Sequence, residues 1–153
     1  MTENELSKLI VDLCFKIHQQ YGPGLFETVY EEIFCYELSK TGIPFTKQQA
    51  IPLIHEQIKL EIGFRADIII DNKVIVELKS IEALAPVHYK QLLTYLKLTN
   101  LKLGLLINFN VNLIKDGIHF GWRVRRLLIK NIMCFVHLKQ AGVVWFGKHW
   151  AAR

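Results

Sequence analysis

Two apolar runs with period two, separated by three turn residues, constrain this chain more than any other feature. Ile58, Leu60, Ile62, Phe64, Ala66, Ile68 and Ile70 alternate with mostly polar neighbours, and Val74, Val76 and Leu78 resume the alternation after Asp71-Asn72-Lys73. Alternation of this kind marks strands with one buried face. A connection this short leaves only an antiparallel hairpin. Its register follows from the pleat. Pairing Ile70 with Val74 brings Ile68 to Val76 and Ala66 to Leu78, so every apolar pair meets on one face. A slip of one residue would mix the faces, which is costly where one face is buried. The favoured register also sets Asp67 opposite Glu77 and Arg65 opposite Lys79 on the other face. Hydrophobic pairing alone thus gathers two acids and a lysine.

Helical periodicity frames the hairpin. Leu6, Leu9, Ile10, Leu13, Cys14 and Ile17 form one stripe of a helix predicted over about Asn4–Gln20, which Gly22-Pro23-Gly24 ends. A second helix is predicted from about Phe26 to Lys40, with Phe26, Val29, Tyr30, Ile33, Phe34 and Leu38 on its buried face and Gly42 and Pro44 as its stop. Strands are predicted over about Phe45–Ile54, Ile58–Ile70 and Lys73–Ser80. A third helix from Pro86 to about Leu98 and a strand over Leu103–Asn108 follow. Asn110, Asn112 and Asp116-Gly117 suggest turns before a last short strand. The length of 153 residues suits one domain with a single core.

Charge is unevenly spread. Residues 1–116 hold 12 Lys or Arg against all 14 Asp and Glu, a net of −2, whereas residues 117–153 hold seven bases and no acid. The net charge of +5 therefore belongs to the C-terminal segment and is no evidence that the rest binds a polyanion. That segment also carries Trp122, Trp145 and Trp150 beside Arg123, Arg125 and Arg126; contact with nucleic acid or a membrane surface competes there with a plain packed extension. Its longest apolar stretch, Leu127 to Leu138, is interrupted by Lys130 and Asn131, so no transmembrane segment is expected. No basic, apolar leader opens the chain, and the expected location is cytoplasmic. Cys14, Cys35 and Cys134 show no metal-binding spacing, and buried reduced thiols are expected.

The chemistry centres on Asp67 and Glu77-Leu78-Lys79. Two carboxylates facing each other across a hairpin at about 5 Å repel. Lys79 can relieve part of that repulsion and a divalent cation more of it. A polar sheet face with a salt bridge is the alternative. Glu27 falls in the first turn of the second helix, where it suits the helix dipole or aims at a metal. Gln91 and Tyr95, one helical turn apart, could hold the lysine, a water or a substrate phosphate. His88 on the same stripe is expected to cap or face solvent.

Several ordered segments carry a family resemblance: Gly24-Leu25-Phe26-Glu27-Thr28-Val29-Tyr30, Gly63-Phe64-Arg65-Ala66-Asp67, Val76-Glu77-Leu78-Lys79-Ser80, the helix Pro86 to Leu96, and Gly104-Leu105-Leu106-Ile107-Asn108-Phe109. Together they resemble the GxxExxY proteins of the PD-(D/E)XK nuclease superfamily. The resemblance implies an α+β fold, an α/β sandwich in which an αβββαβ core places a mixed sheet between helices. It implies a nuclease-like domain over residues 1–120 and leaves 121–153 as a basic, Trp-containing C-terminal extension predicted to add little to the core. It makes Asp67, Glu77 and the Leu78 carbonyl ligands of Mg²⁺ (or Mn²⁺) and Lys79 the catalytic lysine. Glu27 becomes the helix acid beside the metal, and Gln91 and Tyr95 resemble the Gln-xxx-Tyr element of exonuclease-like relatives. The implied activity is hydrolysis of nucleic acid, DNA in particular, by a metal-activated water. A non-catalytic nucleic-acid-binding or regulatory module with the same fold is the alternative; the net of −2 favours it mildly and calls for a protein partner that supplies a basic surface.

Overall fold

A computed structural model describes residues 1–60 and 63–123. The segment 124–153, and with it the expectations for Trp145, Trp150 and Cys134, lies outside the described residues. Two helices come first, α1 (Glu3–Tyr21) and α2 (Glu27–Ser39). Strands β1 (Phe45–Ala50), β2 (Leu53–His55), β3 (Ile58–Leu60), β4 (Arg65–Ile70) and β5 (Val74–Lys79) follow. Helix α3 (Pro86–Thr99), strand β6 (Leu103–Asn108), a single helical turn α4 (Ile114–Gly117) and β7 (Ile118–Trp122) complete the described chain.

Five strands form one mixed sheet in the order β1-β4-β5-β6-β7, and β2 and β3 form a separate two-stranded sheet. The hairpin register is the one that apolar pairing demands: Ile70 faces Val74 and Ile68 faces Val76. Asp71 and Asn72 both take φ of 50° in the turn, a conformation Asn and Asp tolerate better than most residues. From β5 the chain crosses through α3 to β6, which lies parallel to it. Each face of the sheet has its own apolar layer. Ile68, Ile70, Val74, Val76 and Leu78 pack with Leu6, Ile10 and Ile17 of α1 and Phe34 and Leu38 of α2. Ile69, Ile75 and Leu106 pack with Leu92, Tyr95 and Leu96 of α3. Helices on both faces of a mixed sheet make the α+β sandwich expected.

Several expectations give way. The single strand Ile58–Ile70 is two strands, because Gly63 takes φ +90°, which extended backbone cannot contain. The strand Phe45–Ile54 likewise ends at Ala50; Ile51 donates its N–H to the Phe64 carbonyl and Pro52 has none to give to a ladder. Phe26 and Val29 do not join the core. Phe26 caps α2 from outside the helix and is 82% exposed. Alternation also breaks at Asp67: Ala66 packs with the α3 layer, not with Ile68 and Ile70, and β4–β5 pairing stops at Ile68 and Val76. The expected Asp67–Glu77, Ala66–Leu78 and Arg65–Lys79 pairs therefore do not form; Arg65 lies opposite Ala50 in β1. Cys14 and Cys35 are free and buried, as expected. Burial pushes both thiols up, that of Cys35 to about 11.

Candidate active site

Where β4 and β5 cease to pair, side chains take over the bonding. Glu77 Oε1 accepts the Asp67 N–H at 3.2 Å, and Asp67 Oδ2 accepts the Leu78 N–H at 2.9 Å. Each acid thus satisfies a backbone donor near the other, which holds the strand ends together while two carboxylates stay close. Glu77 is 1% exposed. Burial is the main reason its carboxyl rises to about 8, with the Asp67 charge adding and the Lys79 charge opposing.

Lys79 Nζ is the centre of the cluster. It donates to the Leu78 carbonyl at 2.8 Å and lies 3.3 Å from Glu27 Oε1, 3.7 Å from Asp67 Oδ2 and 3.9 Å from Glu77 Oε2. Burial alone would push its pKa down, but Asp67, Glu27 and Glu77 together raise it above its ordinary value, so the amine is held as an ammonium. The hairpin turn brings Asp67, Glu77 and Lys79 near one another, although strand pairing itself stops at Ile68 and Val76. Glu27 comes from a different element, and the residues around it explain how it arrives. Gly24 takes φ +109°, turning the chain into α2. The Tyr30 hydroxyl donates to the Gly22 carbonyl at 2.6 Å and accepts the Leu25 N–H at 3.3 Å. Its ring stacks on Phe109, with centroids 4.4 Å apart. Ser80 Oγ donates to the Leu25 carbonyl at 2.6 Å, which fastens the loop to the chain just after Lys79.

The donor set fits a divalent cation. Two carboxylates and the Leu78 carbonyl all lie within 4 Å of one positive charge, and hard oxygen donors of this kind suit a hard divalent cation. Among the described residues no group of three or more His, Cys, Asp or Glu could hold a metal by itself, so such an ion would draw on the carbonyl and on water as well.

Gln91 and Tyr95 stand apart. Gln91 Nε2 donates to the Tyr95 hydroxyl at 2.6 Å, and the Tyr95 ring is buried edge-on against Phe64. Neither bonds the carboxylates or Lys79 among the described residues. His88 Nδ1 accepts the Ala85 N–H at 3.0 Å, the capping role expected of it. Three residues near the site were not singled out by the sequence, although Asn108 lies in a segment that carries the family resemblance. Asn108, 2% exposed, bonds both the N–H and the carbonyl of Ile81 and so braces the chain beyond Lys79. Glu31 is 6% exposed on α2, and Gln48 of β1 reaches both Glu31 and Asp67.

A family model described as the PD-(D/E)XK nuclease superfamily matches residues 4–120. No curated protein and no solved structure matches the chain. The matched span contains Glu27, Asp67, Glu77 and Lys79 and every described element up to β7, and the chain belongs to the PD-(D/E)XK nuclease superfamily.

Proposed function

We propose that this protein is a Mg²⁺-dependent (or Mn²⁺-dependent) nuclease that hydrolyses phosphodiester bonds of nucleic acid, DNA in particular, in the cytoplasm. One observation carries this: the Lys79 ammonium lies within 4 Å of the Glu27, Asp67 and Glu77 carboxylates and the Leu78 carbonyl. Asp67, Glu77 and the Leu78 carbonyl are the groups that would hold the cation. A divalent cation supplies Lewis acidity to a phosphoryl oxygen and lowers the pKa of water. Lys79 orients the attacking water and stabilises the charge that develops on pentavalent phosphorus. Glu27, whose side chain is 40% exposed, holds Lys79 from the solvent side and can accept the proton the water loses. Gln91, held in place by the buried Tyr95 hydroxyl, offers its amide to a substrate phosphate.

Purified protein, labelled DNA and Mg²⁺ or Mn²⁺ test this. Cleavage that EDTA stops and Lys79→Ala abolishes is the expected result. A folded Lys79→Ala protein that cleaves like wild type rejects the assignment. The net charge of −2 over residues 1–116 favours a second reading, a regulatory module that holds nucleic acid without cutting it and borrows a basic surface from a protein partner. DNA binding that survives EDTA, with no cleavage under any metal, would select it.

A further inference from the structure

Glu31 is a buried acid that the proposed reaction does not use. It lies one helical turn beyond Glu27 on α2 and is 6% exposed. A carboxylate at that depth needs partners. Lys47 Nζ stands 3.4 Å from its Oε1, and Gln48 Nε2 donates to its Oε2 at 2.8 Å. The same amide nitrogen lies 3.3 Å from Asp67 Oδ1. Asp67 Oδ2 already accepts the Leu78 N–H. Both oxygens of Asp67 are therefore held, one from β1 and one from β5. The orientation of the Gln48 amide is not arbitrary: carboxylate oxygens on both sides accept, so only the NH₂ end can lie between them.

The backbone at this point is shaped for that contact. Gln48 takes φ +52°, a conformation uncommon for a residue with a side chain. The β1–β4 ladder runs from Lys47 opposite Ile68 to Gln49 opposite Ala66 and omits the rung between, Gln48 with Asp67. A strand that gives up a rung and takes a left-handed residue beside a cluster of acids stores strain where a side chain must be aimed.

We propose that Gln48 is a positioning residue for Asp67, anchored by the buried Glu31. It fixes the plane of the Asp67 carboxylate by donating one amide hydrogen to each acid, and it does so without adding charge. The inference rests on Asp67 being a metal-holding group, and the test separates the two claims.

Full-length wild type, Asp67→Asn, Gln48→Gly and Gln48→Glu are titrated with Mn²⁺ by calorimetry and melted in EDTA. Glycine adopts φ +52° without strain, which offsets part of the lost Gln48–Glu31 hydrogen bond, so Gln48→Gly is expected to fold with a metal-free melting temperature at or somewhat below that of wild type. Its Mn²⁺ affinity is expected to fall about 10–100-fold, the usual effect of losing a group that orients a ligand. Gln48→Glu, which sets a third carboxylate between the other two, should lose more. In cleavage assays Gln48→Gly should lower kcat and leave the KM for DNA unchanged. A Gln48→Gly protein with wild-type Mn²⁺ affinity overturns this inference alone. Wild type that binds no Mn²⁺ overturns the reading of Asp67 and this inference with it. Should Gln48→Gly not fold, Gln48→Asn serves in its place, because Asn tolerates positive φ and its shorter amide cannot span both acids.

Discussion

At the scale of residues, the Glu77 carboxyl and the Lys79 amine respond oppositely to one environment. Burial and the neighbouring Asp67 raise Glu77 to about 8, and the surrounding acids keep Lys79 charged. A carboxyl with a higher pKa folded than unfolded binds its proton more tightly in the folded state. Its contribution to stability is full below about 4.5, declines as pH rises, and is gone once pH passes about 8. The metal-free protein is therefore expected to lose stability across that interval in urea titrations, and Glu77→Gln to remove most of the slope. Lys79→Met should cost roughly 3 kcal/mol in EDTA, the low end for stripping one partner from a buried pair, since the Glu77 carboxyl, raised to about 8, already carries its proton at neutral pH. Chemical denaturation measures that directly. Glu77 and Lys79 were legible because they alternate with Val76 and Leu78, and Asp67 because the hairpin brings it close to them, although the bonds that hold it there come after strand pairing has stopped. Glu31 and Gln48 were not, because Lys47-Gln48-Gln49 has no periodicity and a left-handed glutamine has no sequence signature.

At the scale of elements, the site depends on how closely α3 and the turn before β7 approach β6. A methyl on Gly104 would sit 2.6 Å from Leu92 Cδ1 on α3, where only a flexible side chain must yield. A methyl on Gly117 would be driven into the backbone carbonyl oxygen of Asn108, which cannot yield without moving the brace on Ile81. Gly104→Ala should fall near the low end of the roughly 1–3 kcal/mol typical of overpacking, and Gly117→Ala at or above its high end. Thermal melts of both variants check the order, and equal losses would contradict it. The strand Leu103–Asn108 and the helix starting at Pro86 were predicted where they stand, since a wholly apolar run and an N-terminal proline are local signals. The break between β3 and β4 has no signal in the alternation, which continues through Gly63 in the sequence; among the described residues the φ of +90° at that glycine marks it.

At the scale of the molecule, Met1–Arg123 form one compact unit. The Arg123 N–H donates to the Lys102 carbonyl just beyond the last rung of β7, opposite Leu103. A chain ending after Arg123 is expected to keep the unfolding midpoint of the full protein, and loss of cooperative unfolding would show otherwise. An ion that binds only the folded chain should add about 2.7 kcal/mol at a concentration 100 times its Kd. Melting against Mg²⁺ concentration reads this, and Asp67→Asn should flatten the response. Lys79 bears on how such an ion arrives. Its amine is a counterion tethered to β5 among acids that come from α2, β4 and β5, so it cannot diffuse away and the cluster is never bare negative charge. Any incoming ion meets an incumbent and must carry enough charge density to outbid it, which favours small divalent ions over potassium or sodium from the outset.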